Sequence, residues 1–154
     1  MYKYLFVMVF MLIIAIPLWP QAGMSEQAAA DQSDTPTALI GLTIEEMLRR
    51  FGAPRSVYAV RGLEEWQDDV VFVYDEADFY ILRDRVWKVG IRSAYRISAG
   101  DPIAAARLHF TELMRAGPDF DIFFLRGYNW PMAVRFNFNS AGRISAIFIY
   151  RTDI

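Results

Sequence analysis

Apolar and polar positions along this chain change period twice, and the elements follow from those changes. Ile44, Met47, Leu48 and Phe51 recur at i, i+3, i+4 and i+7, with Glu45, Glu46, Arg49 and Arg50 on the opposite side, so the spacing predicts a short amphipathic helix. Both ends of that helix are written in the sequence. Thr43 and Glu46 have the capping-box spacing, Leu42 and Met47 are placed to staple across it, Gly52 supplies a left-handed C-terminal position, and Pro54 forbids continuation. Beyond it the period drops to two. Ser56 to Val60, Asp69 to Tyr74, Phe79 to Leu82 and Val86 to Ile91 are rich in Val, Ile, Phe, Tyr and Trp, and read as strands. The connections at Asp75 to Asp78 and Arg83 to Arg85 are short enough to require antiparallel neighbours.

A second helix is predicted from Asp101 as N-cap and Pro102 at the first helical position, with Ile103, Ala106, Phe110, Leu113 and Met114 as its stripe and Gly117-Pro118 as its end. Asp121 to Leu125, Ala133 to Phe138 and Arg143 to Tyr150 then read as three strands, the last two joined by the hairpin turn Asn139-Ser140-Ala141-Gly142. Each half runs helix then meander and closes alike, on Arg85-Val86-x-x-Val89-x-Ile91 and on Arg143-Ile144-x-x-Ile147-x-Ile149. The expected fold class is therefore α+β: one antiparallel sheet with two helices on one face and an internal duplication, residues 39–96 and 97–151, within a single domain 39–154.

The helix motif Gly41-x-Thr43-x-x-Glu46-x-x-x-x-x-Gly52-x-Pro54, followed by a meander ending in Arg-Val-x-x-Val-x-Ile, resembles the small outer-membrane lipoprotein A family. That family supplies the small accessory subunit of the outer-membrane β-barrel assembly machine. The two-copy arrangement is similar to the β-lactamase inhibitor protein fold. The resemblance covers most of 39–151 and implies an exported protein that binds another protein through its sheet or loops, with no catalytic activity. The chain has no cysteine to accept a lipid and carries the unit twice.

Composition narrows the function classes. Among 154 residues, 55% are hydrophobic and 16% aromatic, enough to build a core without disulfides. A formal charge of −2 gives no overall basic field, so nucleic acid is excluded as the expected partner. The absence of cysteine removes thiolate metal sites and cysteine nucleophiles. Lys3 followed by the apolar run Leu5 to Leu18 predicts an export signal over 1–22; the alternative is an uncleaved anchor, which would give the only membrane contact. A polar linker over 23–38 follows it. Periplasmic or secreted localisation is expected, or attachment to the inner membrane facing the periplasm.

No catalytic residue, metal site or cofactor is predicted. His109 is the only histidine and sits beside a helix stripe without identifiable partners, and the acidic clusters at Glu64, Glu65, Asp68 and Asp69 and at Asp75, Glu76 and Asp78 lack EF-hand spacing. The aromatics are the stronger signal. Tyr74, Tyr80, Trp87, Tyr128, Trp130 and Tyr150 are the expected partner-binding residues, with the loop Gly127-Tyr128-Asn129-Trp130-Pro131 foremost, because Tyr and Trp act as rigid amphipathic anchors. The expected function is a non-catalytic envelope module that binds a protein partner, as an assembly factor or inhibitor. The alternative is a small-ligand or lipid-binding protein with a pocket between sheet and helices.

Overall fold

A computed structural model describes residues 36–62 and 69–154. The expected export signal, most of the linker, and Glu64, Glu65 and Asp68 lie outside the described residues. Residues 36–38, assigned to the linker on composition, join Leu39 in a 3-10 turn that buries Thr37.

The first helix, α1 (Ile44–Phe51), starts as its cap residues dictate. Thr43 Oγ1 accepts from the Glu46 N–H at 3.1 Å, and Glu46 Oε2 accepts from the Thr43 N–H at 2.9 Å. That second bond, above all, holds the Glu46 carboxyl below its ordinary pKa. Gly52 closes the helix at φ +75°. Strands β1 (Ser56–Val60), β2 (Asp69–Val73), β3 (Ala77–Leu82) and β4 (Arg85–Ile91) follow as an antiparallel meander. A small two-stranded hairpin, β5 (Ser93–Ala94) and β6 (Ile97–Ser98), leads to the second helix, α2 (Ile103–His109). Strands β7 (Leu113–Ala116), β8 (Phe120–Leu125), β9 (Met132–Phe138) and β10 (Ile144–Arg151) complete the chain. All but β5 and β6 form one eight-stranded sheet in the order β1-β2-β3-β4-β10-β9-β8-β7.

The expected α+β class with internal duplication is corrected by this content. Eight strands share one sheet, while the α-helices among the described residues have only 8 and 7 residues, so the fold is mostly β. The expected second helix is the main error. It stops at Phe110, and Leu113 and Met114 stand exposed on β7 rather than completing a helical stripe. Pairing of Leu113 with Phe123 satisfies backbone that a longer helix would have bonded internally, and Gly117 turns β7 into β8 through its N–H to the Phe120 carbonyl at 2.7 Å. Asp101 is not the N-cap: that position is Pro102, without a side-chain cap, while Asp101 Oδ2 accepts from the Ser98 N–H at 2.8 Å.

The matching Arg-Val and Arg-Ile signatures have a local cause. Arg85 donates to the Gly41 carbonyl at 2.9 Å and Arg143 to the Gly100 carbonyl at 3.2 Å, each fastening a strand start to the loop before a helix. The helices themselves differ, since α1 has a full capping box and α2 has none.

One side of the sheet meets both helices. Met47 of α1 and Ile103 and Ala106 of α2 share a core cluster with alternate strand residues, including Phe79, Val89, Phe136 and Ile149, all buried. Among the described residues, the other side of the sheet carries no helix.

Candidate functional site: the outer face of the sheet

Strand register decides which side chains share the outer face. Tyr80 pairs with Lys88, Lys88 with Tyr150, Gly90 with Phe148, and Phe148 with Arg135. Alternation alone would turn Trp87 inward, next to an outward Lys88. A β-bulge opposite the Tyr80/Ile81 step inserts Trp87 as an extra residue, so Val86 and Val89 are both buried in the core and Trp87 and Lys88 both face outward. Tyr80, Trp87, Lys88, Arg135, Asn137, Phe148 and Tyr150 thereby line one depression of ≈ 410 Å³. A second depression of ≈ 720 Å³ shares Trp87 and Lys88 with it and extends past Asp69 to Arg83, Arg85 and Arg151.

The rings and cations interlock. Lys88 Nζ lies 3.8 Å from the Tyr80 ring centroid, 4.7 Å from Trp87 and 6.0 Å from Phe148. The Arg135 guanidinium lies 4.2 Å from the Phe120 ring and donates to Asn137 Oδ1 at 2.7 Å. Tyr80 meets Phe148 edge-on at 6.3 Å, and Trp87 meets Tyr150 at 6.5 Å. Phe148 lies across Gly90, where an added Cβ would stand 3.2 Å from its Cε1. Asp69 braces one end: its Oδ1 accepts from Trp87 Nε1 at 2.8 Å and its Oδ2 stands 3.8 Å from Lys88 Nζ.

Burial shapes the titration of these groups. It lowers the Lys88 pKa, with Asp69 opposing and Arg135 reinforcing the shift. It pushes the Tyr80 phenol up to about 12, helped by Tyr58, Asp78 and Asp69. Tyr150 is raised by burial and held back by Arg135. The face is therefore a set of aromatic planes packed around two cations.

Of the six residues expected to bind a partner, the structure brings Tyr80, Trp87 and Tyr150 together on this face. It does not bring Tyr74, Tyr128 or Trp130 to it. Tyr74 stands on the helix side, donating to the Gly52 carbonyl at 2.9 Å and packing its ring 5.8 Å from Phe51 and 5.5 Å from Phe79, beside a cleft of ≈ 290 Å³. Trp130 lies against Gly41, where φ is +90° and a Cβ would come within 2.5 Å of its Cη2, and the Arg151 guanidinium stands 4.8 Å from its ring. Tyr128 neighbours Tyr95, whose phenol is pushed above its ordinary range first by burial and then by Tyr128. Both loop aromatics remain partly exposed, Tyr128 at 39% and Trp130 at 38%.

Sequence reasoning missed Lys88 and Arg135, and read Asp69 only as part of an acidic cluster. The bulge that turns Lys88 and Trp87 the same way leaves no periodic trace, and Arg135 reaches the group only through register across β10. His109 ends α2 with its ring 4.7 Å from Phe110 and 6.2 Å from Tyr95. Among the described residues, no group of three or more His, Cys, Asp or Glu side chains could hold a metal ion, and no helix is long and apolar enough to cross a membrane.

No protein-family profile and no curated protein sequence matches the chain. Among solved structures it is similar to an extracellular protein containing an SCP domain from Bacillus anthracis, with a TM-score of 0.52 and 12% identity over 80% of this chain and 47% of that one. It is also similar to a cysteine-rich secretory protein from Staphylococcus aureus, with a TM-score of 0.52 and 9% identity over 78% of this chain and 47% of that one. The chain spans about half the length of the solved structures it matches, and at these identities the likeness is one of fold.

Proposed function

We propose that this chain is an exported, non-catalytic binding module of the cell envelope that holds a protein partner against the outer face of its sheet, as an assembly accessory factor or in the manner of an inhibitor. The observation that carries the reading is the contiguous set Tyr80, Trp87, Lys88, Arg135, Phe148 and Tyr150 on the sheet side opposite both described helices. Tyr, Trp and Arg are the residues in which interface energy concentrates, and here they are braced by Asp69 and Asn137 rather than loose. Export is supported by the signal-like pattern at 1–22 and by structural neighbours described as extracellular and secretory. Kinship with the small outer-membrane lipoprotein A family belongs to the same proposal, as does periplasmic or secreted placement, with attachment by an uncleaved N-terminus the alternative.

A second reading, a small-ligand or lipid-binding protein, draws on the ≈ 290 Å³ cleft beside α1 lined by Phe51, Tyr74, Phe79 and Ile91. Substitution separates the two. Trp87→Ala and Tyr150→Ala are expected to weaken capture of an envelope protein by the tagged full-length chain at least about tenfold each, a hot-spot effect, while Phe51→Ala leaves capture intact. Loss with Phe51→Ala alone, together with an extracted lipid, would transfer the function to the cleft.

A further inference from the structure

Resting on that reading, we infer that the partner presents an acidic segment, whose carboxylates are held between Lys88 and Arg135 while its apolar side chains lie on Tyr80, Trp87, Phe148 and Tyr150. Two carboxylates share the outer face with its cations, Asp69 at Lys88 and Asp78 beside Gly90 and Phe148, and neither engages Arg135. Arg135 is held by the neutral amide of Asn137 and by the Phe120 ring, with no carboxylate within ion-pairing distance among the described residues. Lys88 has one carboxylate neighbour, Asp69, at 3.8 Å, and that carboxylate already accepts the Trp87 N–H. In the adjoining depression Asp153 is taken by Arg151, and Arg85 spends a donor on the Gly41 carbonyl. Arg83 faces the same depression from the β3–β4 turn. A chain with formal charge −2 thus places Lys88 and Arg135 together on this side, with Arg83 lining the adjoining depression, which orients an acidic approach and repels a basic one.

Geometry sets the class of segment. Lys88 on β4 and Arg135 on β9 stand on either side of β10, roughly 10 Å apart across the strands. A peptide with acidic residues about three or four positions apart spans that distance, and the Phe148 and Tyr150 rings between the cations offer apolar floor to the residues in the middle. Lys88 is the partly desolvated cation of the two, its side chain 23% exposed, so a carboxylate arriving there meets a charge that water screens little.

The test is a random dodecapeptide display library panned on immobilised full-length protein, with soluble polygalacturonate titrated separately as a non-protein polyanion. Peptides rich in Asp and Glu next to apolar residues are expected. Their affinity should fall about tenfold or more with Lys88→Gln or Arg135→Gln, recover with Lys88→Arg, and weaken steadily as salt rises from about 50 to 300 mM. Neutral or basic peptides that are lost with Trp87→Ala would overturn the acidic segment while leaving the outer face as the binding side. Peptides indifferent to Trp87→Ala and Tyr150→Ala would overturn both. Polygalacturonate binding without acidic peptides would assign the carboxylates to a carbohydrate and overturn the protein source, and the selection of no peptide at all would count against the inference.

Discussion

Phe136→Ala is expected to remove about 3–5 kcal/mol of folding stability, the cost of emptying a ring site in a packed core. Phe136 sits near the middle of β9 with no exposed surface, its ring 6.1 Å from Phe123 and 5.6 Å from Phe110. Phe110 is the residue at which α2 ends, so the three rings couple the second helix to the strands beneath it. Truncation leaves Phe110 without one of its two sheet partners and opens a void that β9, hydrogen-bonded to β8 and β10 on both sides, cannot close. Against a typical domain stability of about 5–15 kcal/mol, a fall in Tm of roughly 15 °C follows. Denaturant unfolding with unchanged m would register it. A loss below about 1 kcal/mol would mean that the ring cluster repacks and is not the anchor of α2.

The second large effect has a sign that depends on how many residues change. Asp121 is 1% exposed, and its Oδ2 accepts from Arg107 Nε at 2.7 Å. Asp121 Oδ1 finds no partner among the described residues. Arg107→Ala strands that carboxylate and also removes a guanidinium 5.8 Å from the Phe138 ring, so a loss of about 3 kcal/mol is expected. The Arg107→Leu, Asp121→Leu double variant removes both charges and the unsatisfied oxygen together, so it is expected to lie within about 1 kcal/mol of the parent or above it. Equal losses in the single and double variants would show that the pair is not an electrostatic unit.

How much of this was legible depends on the range over which each signal acts. The α1 boundaries were written locally, because Thr43, Glu46 and Gly52 each satisfy backbone groups within a few positions. The strands of the first meander and β8 to β10 were legible from β-branched and aromatic content, and the 139–142 turn from Asn139, whose Oδ1 accepts from two backbone N–H groups at 3.0 Å. Leu113 and Met114 deceived because helical spacing from Phe110 competes with a strand that exists only by pairing with β8. Half of the expected aromatic set fell on the outer face. Its cations were hidden, since a bulge at Trp87 and the register of β4, β10 and β9 are long-range properties with no local residue signature.

Site-specific photocrosslinking in the native envelope tests the outer-face claim most directly. A benzophenone amino acid replaces Tyr150 on that face, Trp130 in the loop and Leu48 on α1, one at a time. A discrete protein adduct at position 150, absent at 48 and 130, is the predicted result. An adduct at 130 or 48 with none at 150 would contradict it and move the binding site to the loop or to the helix side.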